Sequence, residues 1–383
     1  MKLAGFDYRR ASLFCEDAPL EEIAARAGTP CYVYSSRGIL EAFQAYDDAL
    51  AGLPHRVCYA VKANSSLAVL ALVARAGAGF DIVSGGELFR VLKAGGDPAT
   101  VVFSGVGKTA PEIEYALEAG IYCFNAESEA ELALLDALAA RRSSRARIGL
   151  RVNPDVDAAT HPYIATGLRE HKFGIPIQEA EGIFTRAAAW PNLSFEGLSC
   201  HIGSQLLDTA PLEEALDHLL ALASGCPFIR FLDLGGGVGV PYRPDQQAPD
   251  LGAFLARVRQ KLTGRDLFLL IEPGRSIVAE AGVLLTRVLY RKPGLAKEFV
   301  VVDAAMNDLI RPSLYEAHHE ILPVRRPERG RILADVVGPV CETGDFLALD
   351  RELDNVLPGD LLAVATAGAY CFVAASNYNS RPR

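Results

Sequence analysis

Lys62 lies in the run Tyr59-Ala60-Val61-Lys62-Ala63-Asn64, directly behind the apolar stretch Val57-Cys58-Tyr59-Ala60-Val61. A lysine at the mouth of a buried strand loses part of its hydration. Desolvation lowers an amine's pKa and makes it a nucleophile toward carbonyls, which is what a Schiff-base lysine needs. A structural or phosphate-binding lysine is the alternative. Glu272 closes a second apolar stretch, 267–271, and opens Glu272-Pro273-Gly274-Arg275. Its carboxylate either pairs with Arg275 or keeps a heterocyclic nitrogen protonated. Gly235-Gly236-Gly237-Val238-Gly239 follows a third such stretch. Glycines there let backbone N–H groups approach an anion closely. Val240 stands where the dinucleotide fingerprint requires a glycine. His201 is either a hydrogen-bonded core histidine or a flat ring placed to stack on another. Cys341 sits in Gly338-Pro339-Val340-Cys341-Glu342-Thr343-Gly344-Asp345, a loop bounded by turn residues, and is either an idle thiol or a working one. Gly105-Val106-Gly107-Lys108-Thr109 resembles the tail of a phosphate loop, but Val102 takes the place of the leading glycine, so it reads as a strand-to-helix turn.

These residues need a frame. Short apolar stretches at 57–61, 79–83, 100–103, 121–124, 146–152, 195–199, 230–234 and 267–271 alternate with amphipathic helical patterns at 66–76, 86–94, 111–119, 127–140 and 211–223. Continuous short strands bounded by Gly, Pro, Asn or Ser suit burial on both faces. Eight such units match the count and scale of an α/β fold of the (β/α)8, TIM-type barrel class; a doubly wound sheet usually has fewer strands. A barrel demands that its chemistry lie at the C-terminal ends of the strands. Lys62, Asp81 with Ser84, Arg151 with Asn153, His201 with Ser204, Gly235 to Gly237, and Glu272 all fall there. After about residue 281 the long helices stop, and 283–290, 298–302, 331–337, 340–347 and 361–367 read as strands, with Pro358-Gly359-Asp360 as a turn. We therefore expect a barrel over 35–280. Residues 1–34 and 281–383 are expected to form a separate β domain of sandwich or barrel-like type.

Composition narrows the function. The chain has 383 residues, half of them hydrophobic, enough for one large domain and a second. A net charge of −9 argues against nucleic acid as the main partner. Arg141, Arg142, Arg145 and Arg147 read as a solvated helix-end cluster. The eight cysteines include no Cys-x-x-Cys pair, which leaves zinc-ribbon and thioredoxin chemistry without support, and no metal is expected. The N-terminal segment carries Asp7, Glu16 and Asp17 and lacks an apolar core, so it is not read as a signal peptide. The stretch 361–375 is too short and Gly-broken to span a bilayer. The expectation is a soluble cytoplasmic protein.

A nucleophilic lysine, a phosphate cradle and an acid on one rim together point to pyridoxal 5'-phosphate (PLP), with the acid holding the pyridinium proton. His161 and His171 lie in a loop and stay ambiguous. His55, His218, His318 and His319 read as surface or packing residues.

The motifs around Lys62, His201-Ile202-Gly203-Ser204-Gln205, Gly235-Gly236-Gly237, Glu272-Pro273-Gly274-Arg275 and Cys341-Glu342-Thr343 follow one order. That order resembles the alanine-racemase-fold (fold-type III) group of PLP-dependent decarboxylases. Met306-Asn307-Asp308-Leu309-Ile310-Arg311-Pro312-Ser313-Leu314-Tyr315 and the closing Asn377-Tyr378-Asn379-Ser380-Arg381-Pro382 look most like the diaminopimelate decarboxylase family within it. The resemblance covers nearly the whole chain. It implies decarboxylation of meso-2,6-diaminopimelate to L-lysine, the last step of lysine biosynthesis. It implies that Lys62 carries PLP as an imine, His201 stacks on its ring and Glu272 pairs with its nitrogen. Ser204, Gly235, Gly236, Gly237, Gly274, Arg275 and Tyr370 would surround the phosphate, with Asp81, Glu87 and Arg151 in support. Arg275, Arg311, Tyr315, Tyr370 and Glu342 would bind the substrate. Cys341 would return a proton to carbon, and a thiol suits that task. In such enzymes Cys341 and Glu342 act in the partner's site of a homodimer. Two arginines suit a distal carboxylate that polyamine-pathway substrates lack.

Three other readings remain at this point. One is a related decarboxylase of ornithine, lysine, arginine, carboxynorspermidine or a carrier-bound amino acid. The second is a racemase on the same fold, which Cys341-Glu342 disfavours. The third is a non-catalytic PLP-binding homologue, which would be expected to lose Lys62 or Cys341. The chain ends at Arg383, where such proteins usually continue with another strand, so an open edge in the β domain is also an expectation.

Overall fold

The structure, a computed structural model, describes residues 3–157, 172–295 and 297–382. It divides into two compact units, Ala42–Gly239 with Ala248–Gly274, and Met1–Glu41 with Val240–Gln247 and Arg275–Arg383.

The first unit is the expected barrel. Its strands are β1 His55–Ala60, β2 Gly79–Ile82, β3 Val101–Phe103, β4 Cys123–Ala126, β5 Ala146–Asn153, β6 Leu193–Ser199, β7 Phe231–Asp233 and β8 Phe268–Ile271. All neighbours pair in parallel. Leu270 opposite Arg56 joins β8 to β1, and Asn125 opposite Gly149 joins β4 to β5, so the sheet closes. The two-residue strand Ile175–Pro176 adds to β5. Among the described residues, closure leaves no barrel edge except that one, which is why strands of three or four residues suffice.

Side chains fill the interior rather than a pore. Cys58, Val102, Cys123, Phe231 and Leu270 form one buried cluster. The Phe231 ring needs space from two other strands. A Cβ on Gly197 would lie 2.1 Å from that ring, and one on Gly149 would lie 3.3 Å from it. Small residues on β5 and β6 thus accommodate the large one on β7, and together they floor the space at the C-terminal rim.

Helix starts follow local capping. Ser84 Oγ accepts from Glu87 N at the head of Gly85–Lys93, and Ser128 Oγ accepts from Glu131 N at the head of Glu129–Arg141. Thr109 and Glu112 form a reciprocal capping box before Ala110–Ala119. The cap at Ser128 explains why that helix begins two residues later than its apolar pattern. The Gly105-Val106-Gly107-Lys108-Thr109 segment is a strand-to-helix turn, and buried Lys108 ties it down through Glu131 at 2.6 Å.

Two expectations about the barrel are corrected. The stretch 121–124 becomes β4 two residues later, because Tyr122 is taken up by Arg147, whose guanidinium lies 4.7 Å from its ring. Arg147 itself is therefore part of β5, paired with Glu196 at 2.9 Å, and not part of a helix-end cluster.

The second unit is mainly antiparallel. The long strand β9, Gly282–Pro293, pairs first with Cys31–Tyr34 and then with β10, Glu298–Val302. β11 Ile321–Pro323, β12 Arg331–Val337, β13 Phe346–Asp354 and β14 Leu361–Val364 complete the sheet. β10 and β12 run parallel. An N-terminal meander, Phe6–Arg9, Ser12–Cys15 and Ala18–Pro19, buries Phe6, Leu13 and Cys15 against Val283, Leu285 and Ala363. The expected strand over 340–347 is not formed. Asp345 accepts the Val340 and Met306 amides, each at 2.6 Å, and folds 338–345 into a loop before β13 starts. A buried carboxylate that captures two backbone donors removes them from a ladder.

Candidate active site

Each strand end of the barrel places one chemical group. Lys62 sits in the turn Val61–Ala63 that follows β1. Gly274 supports this turn from below: a Cβ there would stand 2.9 Å from Ala63 Cβ and 3.0 Å from Ala60 Cβ. Lys62 Nζ forms an ion pair with Asp81, whose side chain on β2 is wholly buried. Glu87, on the helix after β2, is pushed up to about 7 by burial. The Val83 amide and Lys62 oppose this shift, and Asp81 adds to it.

Lys62, Ser104, Asn125, Arg151, His201 and Glu272 line one cleft of about 620 Å3, its open mouth included. Arg151 is buried, 2.7 Å from Glu127 Oε1, with its guanidinium over the Phe173 ring at 5.2 Å. His201 accepts the Gly236 N–H on Nδ1 at 3.2 Å, which leaves any ring proton on Nε2. Burial, with the charges of Lys62 and Arg151, drives its pKa well below the usual histidine value, so the ring is neutral. Ser204 lies half-buried in the loop after His201.

Glu272 follows β8 and is almost fully buried, with Oε1 lacking any hydrogen-bond partner. Its carboxyl is buried together with that of Asp233, at the end of β7. Burial raises both acids, and Glu272 rises further because Asp233 and Asp81 repel its charge. Asp233 is better satisfied, accepting from Asn125 Nδ2 at 2.8 Å and from Gly235 N at 3.0 Å. Glu272 is therefore the more strongly raised of the two.

The glycines after β7 have a steric reason of their own. A Cβ on Gly236 would lie 2.2 Å from Glu272 O, and Gly237 has φ +120°. Strand ends therefore converge here on bare backbone. The Gly235 and Gly236 amides are already given to Asp233 and His201, so an anion here would meet the Gly237 amide.

The second unit holds another set of the expected residues. Arg275 and Arg311 are both buried. Arg275 donates to Tyr242 Oη at 2.8 Å and lies 4.7 Å from the Tyr370 ring. Arg311 opens the short helix Arg311–Tyr315 and stacks on Tyr242 at 4.3 Å. Tyr315, half-buried, ends that helix. Cys341 and Glu342 are exposed on the 338–345 loop. Asn379 Oδ1 accepts the Cys341 N–H at 2.8 Å, and Tyr378 donates to Glu342 at 2.7 Å. Among the described residues no hydrogen bond joins Cys341 or Glu342 to the arginine group. His161 and His171 fall outside the described residues.

Sequence reasoning missed Asp233, Asn125, Glu127, Tyr242 and His319. Asp233 and Glu127 carried a usable signal, since both are acids at strand ends. The other three show their roles only through contacts.

The barrel residues fit PLP. An unpaired buried acceptor suits a ring N–H, the glycine turn suits a phosphate, and the lysine beside Asp81 suits a carbonyl. Fold and cleft thus define a pyridoxal-binding barrel. The sequence model of a family described as "Pyridoxal-dependent decarboxylase, pyridoxal binding domain" matches residues 36–279. A diaminopimelate decarboxylase of Pseudomonas aeruginosa is 58% identical over 99% of this chain and 92% of its own length. The crystal structure of diaminopimelate decarboxylase from Helicobacter pylori complexed with L-lysine superposes with a TM-score of 0.91 at 45% identity, covering 95% of this chain and 92% of that one. That of M. jannaschii, also in complex with L-lysine, gives 0.92 at 36% identity over 100% of this chain and 92% of the other. The chain belongs to the pyridoxal-dependent decarboxylases and, among them, to the diaminopimelate decarboxylase family.

Proposed function

We propose that this protein is a PLP-dependent carboxy-lyase that converts meso-2,6-diaminopimelate to L-lysine and carbon dioxide. The observation that carries the reading is the unpaired Oε1 of buried Glu272 in the cleft that Lys62 lines. Full-length similarity to diaminopimelate decarboxylases supports the choice of substrate. Among the described residues no helix is long and apolar enough to cross a membrane.

When bound, PLP supplies a sink for the electron pair left as carbon dioxide departs. Lys62 would hold it covalently, with its Nζ oriented by the ion pair to buried Asp81. Glu272, with its buried Oε1 without a partner, would pair with the ring nitrogen, whose positive charge would offset the acid's burial. Neutral His201, fixed by the Gly236 amide, is the stacking group. Ser204, Gly235, Gly236, Gly237, Gly274 and Tyr370 hold the phosphate, and Arg151, oriented by Glu127, closes the cleft wall. Arg275, Arg311, Tyr315 and Tyr370 bind the substrate's far end, with Glu342 on its ammonium. Cys341 Sγ gives the carbon the proton that replaces the lost carboxylate. We further propose a homodimer in which Cys341 and Glu342 serve the partner's site, and a cytoplasmic location.

The test is carbon dioxide release from meso-2,6-diaminopimelate with and without PLP, with L-lysine and L-ornithine as competing substrates. Release from diaminopimelate that depends on PLP and is lost in Lys62→Ala is expected. Faster release from ornithine or lysine would reject the substrate assignment.

A further inference from the structure

Arg311 is buried, yet its partners are neutral. Among the described residues no carboxylate pairs with it. Its guanidinium lies on the Tyr242 ring at 4.3 Å, and its Nη1 is 2.9 Å from His319 Nε2. His319 is wholly buried. Its Nδ1 is 2.9 Å from Ala365 O, a group that can only accept. The Nδ1 position therefore carries the proton, and Nε2 offers its lone pair to Arg311. The imidazole edge also packs on the Tyr242 ring, centroids 5.4 Å apart at 77°. Burial and the adjacent Arg311 keep His319 neutral.

This arrangement separates two things that a carboxylate would combine. A carboxylate at position 319 would orient Arg311 but also neutralise it. A neutral acceptor fixes the direction of the guanidinium and leaves its full charge for a ligand. Burying an arginine without a counter-charge is costly, and the cost is offset when an anion arrives.

We propose that His319 is a positioning residue: with the Tyr242 ring beneath, it aims an uncompensated Arg311 and so sets selectivity for ligands that carry a carboxylate at the far end. The proposal rests on the diaminopimelate reading for the identity of that ligand. After decarboxylation the surviving carboxylate is the one in L-lysine. Hence L-lysine and 1,5-diaminopentane, which lacks it, are the discriminating pair.

The test uses the PLP-loaded protein and two substitutions of similar size and polarity. Gln at 319 keeps an acceptor near the Nε2 position, whereas Asn keeps a donor near Nδ1 and lacks that acceptor. Calorimetric titration is expected to show L-lysine binding on the order of tenfold weaker in His319→Asn and within about threefold of the parent in His319→Gln. Binding of 1,5-diaminopentane should change in neither. In turnover, His319→Asn should raise KM for diaminopimelate with little change in kcat. A folding defect would fall on both variants, so equal losses in the two, or equal losses for both ligands, overturn the proposal. If the parent protein releases no carbon dioxide from diaminopimelate, the substrate reading fails, while the two titrations still decide the role of His319.

Discussion

Asp233 and Glu272, at the ends of neighbouring strands, are two buried carboxyls that both sit above the ordinary carboxylate pKa, and of the pair only Glu272 has a buried oxygen without a hydrogen-bond partner. A buried pair whose pKa values both lie above the ordinary carboxylate value favours folding while protonated. That contribution fades as pH rises through the folded values. Glu272→Gln removes one ionisation. In the PLP-free protein it is expected to raise the melting temperature at pH 8. In the loaded protein it should weaken PLP binding on the order of tenfold, because the ring N–H loses its charged acceptor. Differential scanning calorimetry with and without PLP reads both signs; a change of the same sign in both forms would contradict this account of the pair.

Glu87 makes a separate pH prediction. Its folded pKa of about 7 lies above the ordinary 4.5, so its stabilising contribution is complete below 4.5 and is lost as pH climbs through 7. Glu87→Gln should match the parent's melting temperature at pH 5 and exceed it increasingly between pH 6 and 8. Parallel melting curves across that range would show that Glu87 titrates normally.

The barrel floor couples Phe231 to Gly197. Phe231→Ala should cost about 3–5 kcal/mol in denaturant unfolding, by loss of burial and creation of a cavity. Gly197→Ala drives a methyl into the same ring and should cost about 1–3 kcal/mol. The double variant should lose less than the sum, since the alanine methyl enters the space the ring vacated. Strict additivity would mean that the two sites do not share that space.

The loop that carries Cys341 is held by Asn379 and Tyr378. Cys341→Ala should lower kcat on the order of a hundredfold or more, as expected for a lost proton donor. Asn379→Ala keeps the thiol and frees its backbone, and should lower kcat by about three- to tenfold with PLP binding unchanged. A fall in PLP affinity in Asn379→Ala would instead place that residue in the cofactor site.

Much of the barrel was legible because its signal is local. A short apolar run, a turn and an amphipathic helix repeat themselves, and a residue just past such a run must lie on the rim. Lys62, His201, Gly235 to Gly237 and Glu272 were placed on the rim on that basis, and their proposed chemistry was argued from residue type. The 338–345 loop was misread as part of a strand because the capture of the Val340 and Met306 amides by Asp345 leaves no mark in hydrophobicity. The N-terminal meander escaped notice because its strands are only two to four residues long.

Residue order alone thus determined which candidate groups stand on one rim of a barrel. Tertiary structure decided how those groups are tuned. Asn125 and Asp233 are 108 residues apart and meet only because the sheet closes. His319 and Arg311 meet only because the chain turns back after its short helix. A pKa or an aimed guanidinium depends on burial and on partners within about 4–6 Å, and chain folding alone sets both.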